Sequence, residues 1–398
     1  MSGPARGAIS YSPSRILGAL GRRRRDAART WRYRRHLAEP LRDVVLFESF
    51  AGKMVGDSPL DLCQELQRRG TALQLVWSVA DPRTPVPEGT TSVVFGSDDW
   101  LRLLATARYL VNNSNNPWYF RKREGQTYLQ CWHGTPLKRL VLDIESGSVT
   151  QGYLAAFTRD SSMWDALVSP NPFCSEVLPR AFGFAGRVLD SGYPRNDRLV
   201  TADAAYRAQI RRRLGVQDDQ RLLLYAPTWR DTQRTATGKW SAVNLLPGDL
   251  PLPSGWTILF RGHTNTHDAH TADVARGYVD VTRYPDAAEL LIAADALLTD
   301  YSSVMFDFTV TGKPVLLLTP DIEEYQASRG FYFDLRATVP GPVLRSADEL
   351  LAALDALDAS RAEYAERYAA WRERYNCWED GHASARVVDA VWGEGLPR

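Results

Sequence analysis

The chain has few cysteines and no long apolar run, and these two absences exclude several classes of protein. Only four cysteines occur in 398 residues, and none belongs to a C-x-x-C pair. A disulfide framework and a cysteine zinc site are therefore not expected, and scattered thiols fit a reducing cytoplasm. No apolar run reaches the roughly 18 residues that a membrane-spanning helix needs. Ser, Pro and Arg interrupt the N-terminus, so a signal-peptide core is not expected either.

Several catalytic signatures are also missing from the sequence. It contains no G-x-x-x-x-G-K-[ST] loop, no G-x-G-x-x-G turn and no G-x-S-x-G elbow, so the usual ATP, dinucleotide and serine-hydrolase patterns do not apply. Cys131 lies two residues before His133, but on a strand the two would share only a face, and a Cys–His nucleophilic pair is not expected. His263, His267 and His270 have a spacing that could bind zinc on a helix. Their segment follows a strand and contains Thr, Asn and Asp, which is typical of a loop, and we expect no metal site.

Length and composition predict a soluble globular protein of two domains. The apolar content is 44% and the charged content 24%, which are ordinary values for such proteins. A length of 398 residues exceeds that of most single domains. The net charge of +1 gives no reason to expect bulk affinity for nucleic acid.

The charge is unevenly placed, because ten arginines and one aspartate precede His36. Four of these arginines are consecutive, Arg22 to Arg25, and a short apolar stripe of Ile16, Leu17 and Leu20 lies just before them. A basic amphipathic helix on anionic lipid would have this pattern, with each Arg near the surface contributing about 1 kcal/mol. A disordered basic tail that aids solubility is the plain alternative, and RNA binding is a third.

From residue 43 onward, short apolar runs alternate with helical patterns, which predicts an α/β fold with parallel sheets and helices on both faces. Runs of this length bounded by Gly, Pro or Asp suit strands that are buried on both sides. The predicted strands are Val44–Phe47, Leu73–Val79, Ser92–Phe95, Tyr109–Val111, Tyr128–Trp132, Ala166–Val168, Arg187–Asp190, Leu222–Tyr225, Thr257–Phe260, Ala296–Thr299 and Val315–Leu318. The predicted helices are Leu60–Arg69, Trp100–Ala107, Ala204–Leu214, Ala287–Ala293, Val304–Val310 and Ala347–Leu357.

A domain boundary is expected near Leu214–Gln220, where a helix ends in Leu-Gly and a polar Asp-Asp-Gln segment precedes the next strand. We therefore divide the chain into a basic arm, two α/β domains and a helical C-terminal tail, at residues 1–40, 41–216, 217–375 and 376–398. Before the tail, Tyr364, Tyr368, Trp371 and Tyr375 recur at helical spacing. We interpret them as core residues and not as a ligand box.

The segment Leu297–Val310 is the most informative motif in the chain. An apolar strand ends at Asp300, two hydroxyl residues follow at Ser302 and Ser303, and a helical run begins. The first N–H groups of a helix lack intrahelical partners, and the helix dipole is positive there, so such an end favours anions. An aspartate within such a helix, here Asp307, can contact a ribose or cap a loop.

A second motif, Gln130–Lys138, also follows a strand and places His133 before Gly134. A side chain at this position lies at the carboxyl edge of the sheet, where α/β folds bind ligands. Histidine titrates near neutral pH, so His133 could take a proton from an attacking hydroxyl. A lone histidine is more often structural, and by itself this residue would not decide the function.

Three further segments repeat the layout of a strand that runs into polar residues. Leu259–His263 ends in Arg261 and a second histidine, and Tyr225–Arg230 supplies a hydroxyl and a guanidinium suited to a diphosphate. Ser191–Asp197 is a turn that could be either a structural corner or part of the site. One half of the chain thus has a predicted phosphate-binding site and the other a candidate catalytic histidine. This arrangement indicates a two-domain transferase with its site in the cleft.

Taken in order, these motifs resemble the CDP-glycerol glycerophosphotransferase family, which includes the teichoic acid primases and polymerases. The resemblance rests on W-H-G-T-P-L-K at 132–138, G-Y-P-R-N-D at 192–197 and T-D-Y-S-S-V-M-F-D-F at 299–308. It extends over roughly residues 43 to 340. One departure is Thr264, where many members have proline after the second histidine.

The resemblance implies a GT-B-like fold of two Rossmann-like domains, with the acceptor in the first and CDP-glycerol, or a related CDP-polyol, in the second. It implies that His133 and His263 are the catalytic residues. The residues that it places around the donor diphosphate are Thr228, Arg230, Ser302 and Ser303. We add Asp300 and Asp307, which flank the start of the serine helix, as further donor-binding candidates. The motif residues that we add as further substrate-binding candidates are Gly134, Thr135, Lys138, Arg195, Asn196, Asp197 and Arg261.

The expected reaction is transfer of glycerol phosphate to a hydroxyl of a lipid-linked or polymeric acceptor, with release of CMP, at the cytoplasmic face of the membrane. No tightly bound cofactor is expected, although a divalent cation could accompany the donor. A glycosyltransferase of the same architecture that uses a nucleotide sugar is the main alternative, and an inactive membrane scaffold is another. The motifs do not separate CDP-glycerol from CDP-ribitol, or a primase from a polymerase.

Overall fold

Two parallel β-sheets, one in each half of the chain, organise the protein. The computed structural model describes residues 26–145, 149–216, 219–228, 245–247, 250–262 and 278–393. We call the first sheet with its helices the N-terminal unit and the second the C-terminal unit. Within these ranges no helix is both long and apolar enough to cross a membrane. All four cysteines are free thiols in the structure.

The sheet of the N-terminal unit has seven strands in the order β3-β2-β1-β4-β5-β6-β7. Its strands are β1 Arg42–Glu48, β2 Gln74–Val79, β3 Thr91–Val94, β4 Ala107–Asn112, β5 Thr127–Gln130, β6 Ala166–Ser169 and β7 Arg187–Asp190. Every neighbouring pair is parallel. The chain order reverses between β1 and β4, so the loops after these two strands border the crevice in which sheets of this kind bind ligands.

Successive side chains of a strand point to opposite faces of the sheet. Both faces of this sheet carry apolar side chains, and helices cover both. Val44 and Leu46 of β1 face one cluster, and Val45 and Phe47 face the other. The helices of the N-terminal unit are α1 (residues 26–36), α2 Asp57–Arg68, α3 Asp98–Thr106, α4 Gln151–Ser161, α5 Pro172–Phe182 and α6 Asp197–Thr201. Short 3-10 helices occur at Val141–Asp143 and Pro194–Asn196.

The sheet of the C-terminal unit has six strands in the order β10-β9-β8-β11-β12-β13. Its strands are β8 Arg221–Ala226, β9 Trp256–Phe260, β10 Tyr278–Asp280, β11 Ala296–Thr299, β12 Val315–Leu318 and β13 Val343–Leu344. All of its pairs are parallel. Here the reversal falls between β8 and β11, which places Thr228 and Asp300 at the switch point of this sheet.

The remaining helices pack mainly around the second sheet. They are α7 Ala204–Arg213, α8 Ala287–Ala293, α9 Val304–Phe308, α10 Ile322–Arg329, α11 Leu335–Thr338, α12 Ala347–Asp355, α13 Leu357–Ser360, α14 Ala365–Tyr375 and α15 Ala383–Trp392. A 3-10 turn, Thr309–Thr311, prolongs α9. Although α7 precedes the expected boundary at residue 216, its Ile210 lies in the core of the C-terminal unit.

The C-terminal tail joins the two units. Trp371 and Tyr375 of α14 are buried in the core of the C-terminal unit, which confirms their interpretation as core residues, while Tyr364 and Tyr368 are half-buried. Helix α15 then crosses back to the N-terminal unit, where Val387, Val388 and Trp392 pack beneath the first sheet.

A second connection crosses the cleft as a short strap, which we define as residues 137–140 and 330–332. Lys138 and Phe331 form an antiparallel bridge. Tyr332 N–H donates to the Leu137 carbonyl at 3.0 Å, and Arg139 N–H donates to the Gly330 carbonyl at 3.2 Å. The strap begins within the predicted catalytic motif Gln130–Lys138, so backbone hydrogen bonds tie the end of that motif to the C-terminal unit.

Candidate active site

His133 lies just after the carboxyl end of β5, as predicted, on a loop with unusual backbone geometry. The preceding residue, Trp132, has a left-handed φ of 51°, a conformation that non-glycine residues adopt rarely and that clusters at functional sites. The turn rotates the chain out of the sheet. The His133 ring then packs against Trp132 and Phe50, with ring centroids at 4.0 and 5.4 Å.

A hydrogen bond fixes which nitrogen of His133 is free. Nδ1 lies 2.7 Å from the carbonyl oxygen of Asn113, and a carbonyl can only accept, so Nδ1 carries the proton. Nε2 of the neutral ring is then the nitrogen that can accept a proton. Burial lowers the pKa of His133 below its ordinary value, although the Asn113 carbonyl and the Asp57 carboxylate oppose this effect. The imidazole is therefore neutral near pH 7, as a general base must be.

The loop of His133 touches the serine pair of the other unit. Gly134 is buried, and a Cβ atom built on it would lie 2.5 Å from Oγ of Ser303. No real Cβ approaches a heavy atom so closely, so only glycine allows this contact. The two motifs that the sequence singled out, 130–138 and 297–310, thus meet across the cleft.

The serine pair follows β11 and opens helix α9, as predicted, although α9 itself is short. Oγ of Ser302 accepts the Val304 N–H at 3.3 Å, and Ser303 is the N-cap residue. Asp300 is buried, and its Oδ1 accepts the Thr228 N–H at 2.8 Å. This bond holds the loop after β8 against the loop after β11, so the predicted donor residues Thr228, Asp300, Ser302 and Ser303 lie at one edge of the sheet.

Two predicted site residues, His263 and Arg230, lie outside the described residues, and so do His267, His270 and the arginines at 22–25. Their roles stay predictions. Arg261 is described, and its guanidinium donates to the Tyr284 carbonyl at 2.9 Å, so part of its hydrogen-bonding capacity serves the loop that follows β10. Among the described residues, no group of three or more His, Cys, Asp or Glu side chains could hold a metal ion.

Lys138 reaches across the cleft to the segment around the serine pair. Its Nζ lies 3.0 Å from the Tyr325 hydroxyl, and the Tyr325 ring stacks on that of Tyr301 with centroids 3.9 Å apart. Tyr301 stands between Asp300 and Ser302 in the chain. Thr135 is buried instead, with its hydroxyl 3.4 Å from Nδ2 of Asn171, and therefore lies behind the cleft surface.

The turn of Ser191–Asp197 contacts both units, but through protein groups. Arg195 lies between Asp57 of α2 and Asp307 of α9. Asn196 Nδ2 donates to Asp307 and to Glu379 at 3.1 and 2.9 Å. Asp197 accepts the N–H groups of the first two residues of α15, both at 2.8 Å, which caps that helix. In the structure Arg195 and Asn196 bind Asp307, and Asp197 binds the start of α15.

Sequence reasoning missed Asp57 and Asn113 as site residues. Asp57 opens α2 in a left-handed conformation with φ of 58°, and the Asp-Ser-Pro pattern of a helix start was the available signal. Asn113 follows β4 at the switch point of the first sheet, and its Oδ1 accepts the Phe50 N–H at 2.8 Å. No local pattern distinguishes it from its neighbours in the run Asn112–Asn116.

Two facing Rossmann-like sheets, with a histidine loop set against a hydroxyl pair at the switch point of the second sheet, define an enzyme of GT-B-like architecture. The expected fold class is confirmed. The chain belongs to the CDP-glycerol:poly(glycerophosphate) glycerophosphotransferase family, whose sequence profile matches residues 31–393. The resemblance drawn from the motifs is thereby confirmed.

Individual relatives agree with this assignment. The chain is 35% identical over 361 residues to a teichoic acid poly(glycerol phosphate) polymerase of Staphylococcus epidermidis, with 87% of this chain and 50% of the relative aligned. It is 35% identical over 369 residues to a teichoic acid glycerol-phosphate transferase of Staphylococcus aureus, with 89% and 94% aligned. The solved structure of the wall teichoic acid polymerase TagF superposes with a TM-score of 0.84 at 31% identity, covering 96% of this chain and 98% of that chain.

The chain spans about half the length of the first of these relatives and nearly all of the second. The coverage by TagF extends over both units, so the cleft between them belongs to the shared fold.

Proposed function

We propose that the protein transfers glycerol phosphate from CDP-glycerol to a hydroxyl of a lipid-linked or polymeric acceptor, releasing CMP, in the synthesis of a teichoic-acid-like cell-envelope polymer. The observation that carries the proposal is the contact of Gly134 with Ser303. It brings a neutral histidine base of one unit to the anion-binding edge of the other. Membership of the glycerophosphotransferase family supports this reading.

His133 is the general base in this proposal. The acceptor hydroxyl attacks the β-phosphorus of CDP-glycerol, a new O–P bond forms, and the bond from that phosphorus to the oxygen of CMP breaks. Nε2 of His133 takes the hydroxyl proton, since Nδ1 is already committed to Asn113. Phosphoryl transfer depends mostly on positioning and electrostatics, and the backbone bond to Asn113 holds the ring without help from substrate.

The donor diphosphate binds at the edge formed by Thr228, Ser302 and Ser303. Hydroxyl and backbone N–H groups suit phosphate oxygens, and Asp300 keeps the two loops together. Arg230 would offset the diphosphate charge. His263 would stabilise the transferred phosphate or protonate the leaving group, as the resemblance implies. A divalent cation could accompany the diphosphate, and chelation by EDTA before the assay tests that part.

Glycerol is the polyol that we propose, because the relatives aligned over most of this chain are named for glycerol phosphate. One of the matched TagF structures is of a variant soaked with CDPG. CDP-ribitol is the alternative donor, and a side-by-side assay separates the two.

The acceptor is proposed to reach the N-terminal unit at the cytoplasmic face of the membrane, where the protein binds peripherally. Helix α1 supports this because Trp31 is 61% exposed and the Arg35 guanidinium lies 4.8 Å from its ring centroid. An exposed tryptophan beside arginines suits the interface of an anionic bilayer. Sedimentation with vesicles of anionic and of neutral lipid tests this part.

The decisive experiment measures CMP release from CDP-glycerol, with CDP-ribitol and UDP-glucose in parallel and a membrane extract as acceptor. The variant His133→Asn removes the base and keeps a polar side chain. His382→Asn is the matched control, since His382 is exposed at the start of α15.

We expect CMP release from CDP-glycerol by the wild type and by the His382 variant, and a loss of about 10²- to 10³-fold in the His133 variant, by analogy with removal of an oxyanion donor. Near wild-type turnover by a folded His133 variant would refute the mechanism. Turnover of UDP-glucose alone would identify a nucleotide-sugar glycosyltransferase instead.

A further inference from the structure

The segment 194–198 forms two sets of ion pairs between the two units. Its two arginines, Arg195 and Arg198, are three residues apart, and each lies between two aspartates. One aspartate of each set comes from α2, and the other comes from the C-terminal unit. We call Asp57–Arg195–Asp307 the inner layer and Asp61–Arg198–Asp286 the outer layer.

Several short contacts hold the inner layer together. Nη1 of Arg195 lies 3.0 Å from Oδ1 of Asp57, and Nη2 lies 3.0 and 3.1 Å from the two carboxylate oxygens of Asp307. The guanidinium also lies 4.1 Å from the ring centroid of Tyr193. Burial disfavours the charged guanidinium, but Asp307 and Asp57 outweigh that effect and raise the pKa of Arg195 above its ordinary value. Arg195 therefore keeps its positive charge, which pairs with the carboxylates of Asp57 and Asp307.

This geometry argues against Arg195 as a ligand of the donor diphosphate. Only 11% of its side chain is exposed, and both terminal nitrogens are bonded to carboxylates. A diphosphate could replace these partners only by leaving buried carboxylates unpaired, which is costly.

The inner layer lies between the two halves of the catalytic cleft. Asp307 is on α9, whose N-cap is Ser303, and Asp57 begins α2, which follows the loop that carries Phe50 against His133. Arg195 thus connects the element behind the serine pair with the element beside the base. The outer layer joins the same two units through α2 and the start of α8, which carries no predicted site residue.

We propose that Arg195 is a positioning residue for the transfer reaction, holding helix α9 and its serine pair at the distance from His133 that the reaction needs. The role rests on the proposed function of the cleft. Arg198 makes the same kind of ionic contact, but its only role is to hold the two units together.

The experiment compares Arg195→Met, Arg195→Lys and Arg198→Met with the wild type. For each protein, CMP release from CDP-glycerol gives kcat and KM, calorimetry gives the Kd for CDP-glycerol without acceptor, and thermal unfolding gives Tm. Arg198→Met is the matched control because it removes an equally bridged arginine from the same segment.

We expect Arg195→Met to lower kcat by about 10²-fold, in the range seen when catalytic positioning is disturbed, while the Kd for CDP-glycerol stays within threefold. Arg195→Lys should recover part of kcat, because its ammonium can reach one aspartate but lacks the fork. Arg198→Met should lower Tm and keep kcat within threefold of the wild type.

Two results would overturn the positioning role while the wild type remains active. One is a rise in Kd that matches the loss of kcat, which would make Arg195 a donor ligand. The other is equal kcat in the two methionine variants. A wild type that neither binds nor turns over CDP-glycerol would instead overturn the proposed function and, with it, this role. If Arg195→Met does not fold, the lysine variant and Asp307→Asn provide the same comparison.

Discussion

Gly134 and Ser303 are in direct contact across the cleft, although they lie 169 positions apart in the sequence. A Cβ atom on Gly134 would meet Oγ of Ser303 at 2.5 Å and its Cβ at 2.8 Å. The backbone of one unit thus packs on a side chain of the other with no room for a methyl group. The two units are in tight contact at this point.

Replacement of Gly134 by alanine should therefore separate the two motifs. The added methyl group is overpacked, which costs about 1–3 kcal/mol at a tight site, and we expect kcat for CMP release to fall at least tenfold. Gly152→Ala is the control, because a Cβ at Gly152 meets nothing within 4 Å and alanine favours the helix. Steady-state kinetics and thermal unfolding of both variants provide the test. Equal kcat in the two variants would show that the contact does not matter.

The pH dependence of the reaction should report the neutral state of His133. Its pKa is lowered, first by burial, so the base loses its proton at a lower pH than an ordinary histidine with pKa about 6.5. Activity that requires the neutral ring is present above this pKa and is lost as the pH falls through it. We expect the acid limb of kcat/KM to lie below pH ~6.5.

The variant Asp57→Asn should lower the pKa of His133 further. The Asp57 carboxylate favours protonated His133, and Arg195 opposes it. Loss of the carboxylate also leaves Arg195 less compensated, so both effects lower the pKa of His133. The acid limb should move to still lower pH, and a shift to higher pH would contradict the assignment of His133 as the base.

The strap should make a measurable contribution to stability. The Tyr332 hydroxyl accepts the Leu140 N–H at 3.1 Å and donates to Asp143 at 2.7 Å. Tyr332→Phe removes both hydrogen bonds, which are half-buried, and one such bond contributes about 0.5–1.5 kcal/mol. Urea unfolding should show this loss. Tyr153→Phe, at a residue 47% exposed, should change the free energy of unfolding by less than ~0.5 kcal/mol, and an equal loss in both would contradict the prediction.

Glu379 should reduce the stability of the protein as the pH rises. Burial raises its pKa to about 8, from an ordinary value of 4.5, although Asn196 and the Tyr193 N–H stabilise the carboxylate. The folded state keeps the Glu379 proton to a higher pH than the unfolded state does. The contribution of Glu379 to the free energy of unfolding is therefore full below pH 4.5 and falls between pH 4.5 and 8. Glu379→Gln keeps the hydrogen bonds of Oε1 and cannot ionise.

The measurement is the free energy of unfolding of wild type and Glu379→Gln at several pH values. The difference between them should grow in favour of the variant from pH 5 to pH 8, because each unit of pKa shift corresponds to about 1.4 kcal/mol at most. Parallel curves for the two proteins would show that Glu379 does not titrate in this range.

The sequence predicted most of the sheet architecture because buried parallel strands are short apolar runs with clear ends. Each predicted strand is present, with its ends shifted by at most two residues. Val343–Leu344 and Tyr278–Asp280 were missed because strands of two or three residues carry no periodicity. Helix α5 was not among the predicted helices, although Asn171 caps it and Pro172 opens it, which is a usual pattern for a helix start.

The positions of the site motifs were predicted better than their partners. Strand ends at the carboxyl edge of a sheet placed His133, Thr228 and Ser302 without tertiary information. The pairing of Arg195 with Asp307 joins residues 112 positions apart, and no local pattern states which charges will meet. Likewise, the helical tail was expected, but its periodicity does not say that α15 packs on the first sheet.

The return of α15 to the N-terminal unit has a consequence for biosynthesis. Val387, Val388 and Trp392 fill the same apolar cluster as Phe47 and Trp77, which the ribosome produces some 300 residues earlier in the order of translation. Helix α2 covers part of this face through Leu62 and Leu66, but the area that α15 covers stays exposed until α15 emerges from the exit tunnel. We expect nascent chains halted before α15 to expose this apolar area, and the two halves expressed separately would each lack part of their core.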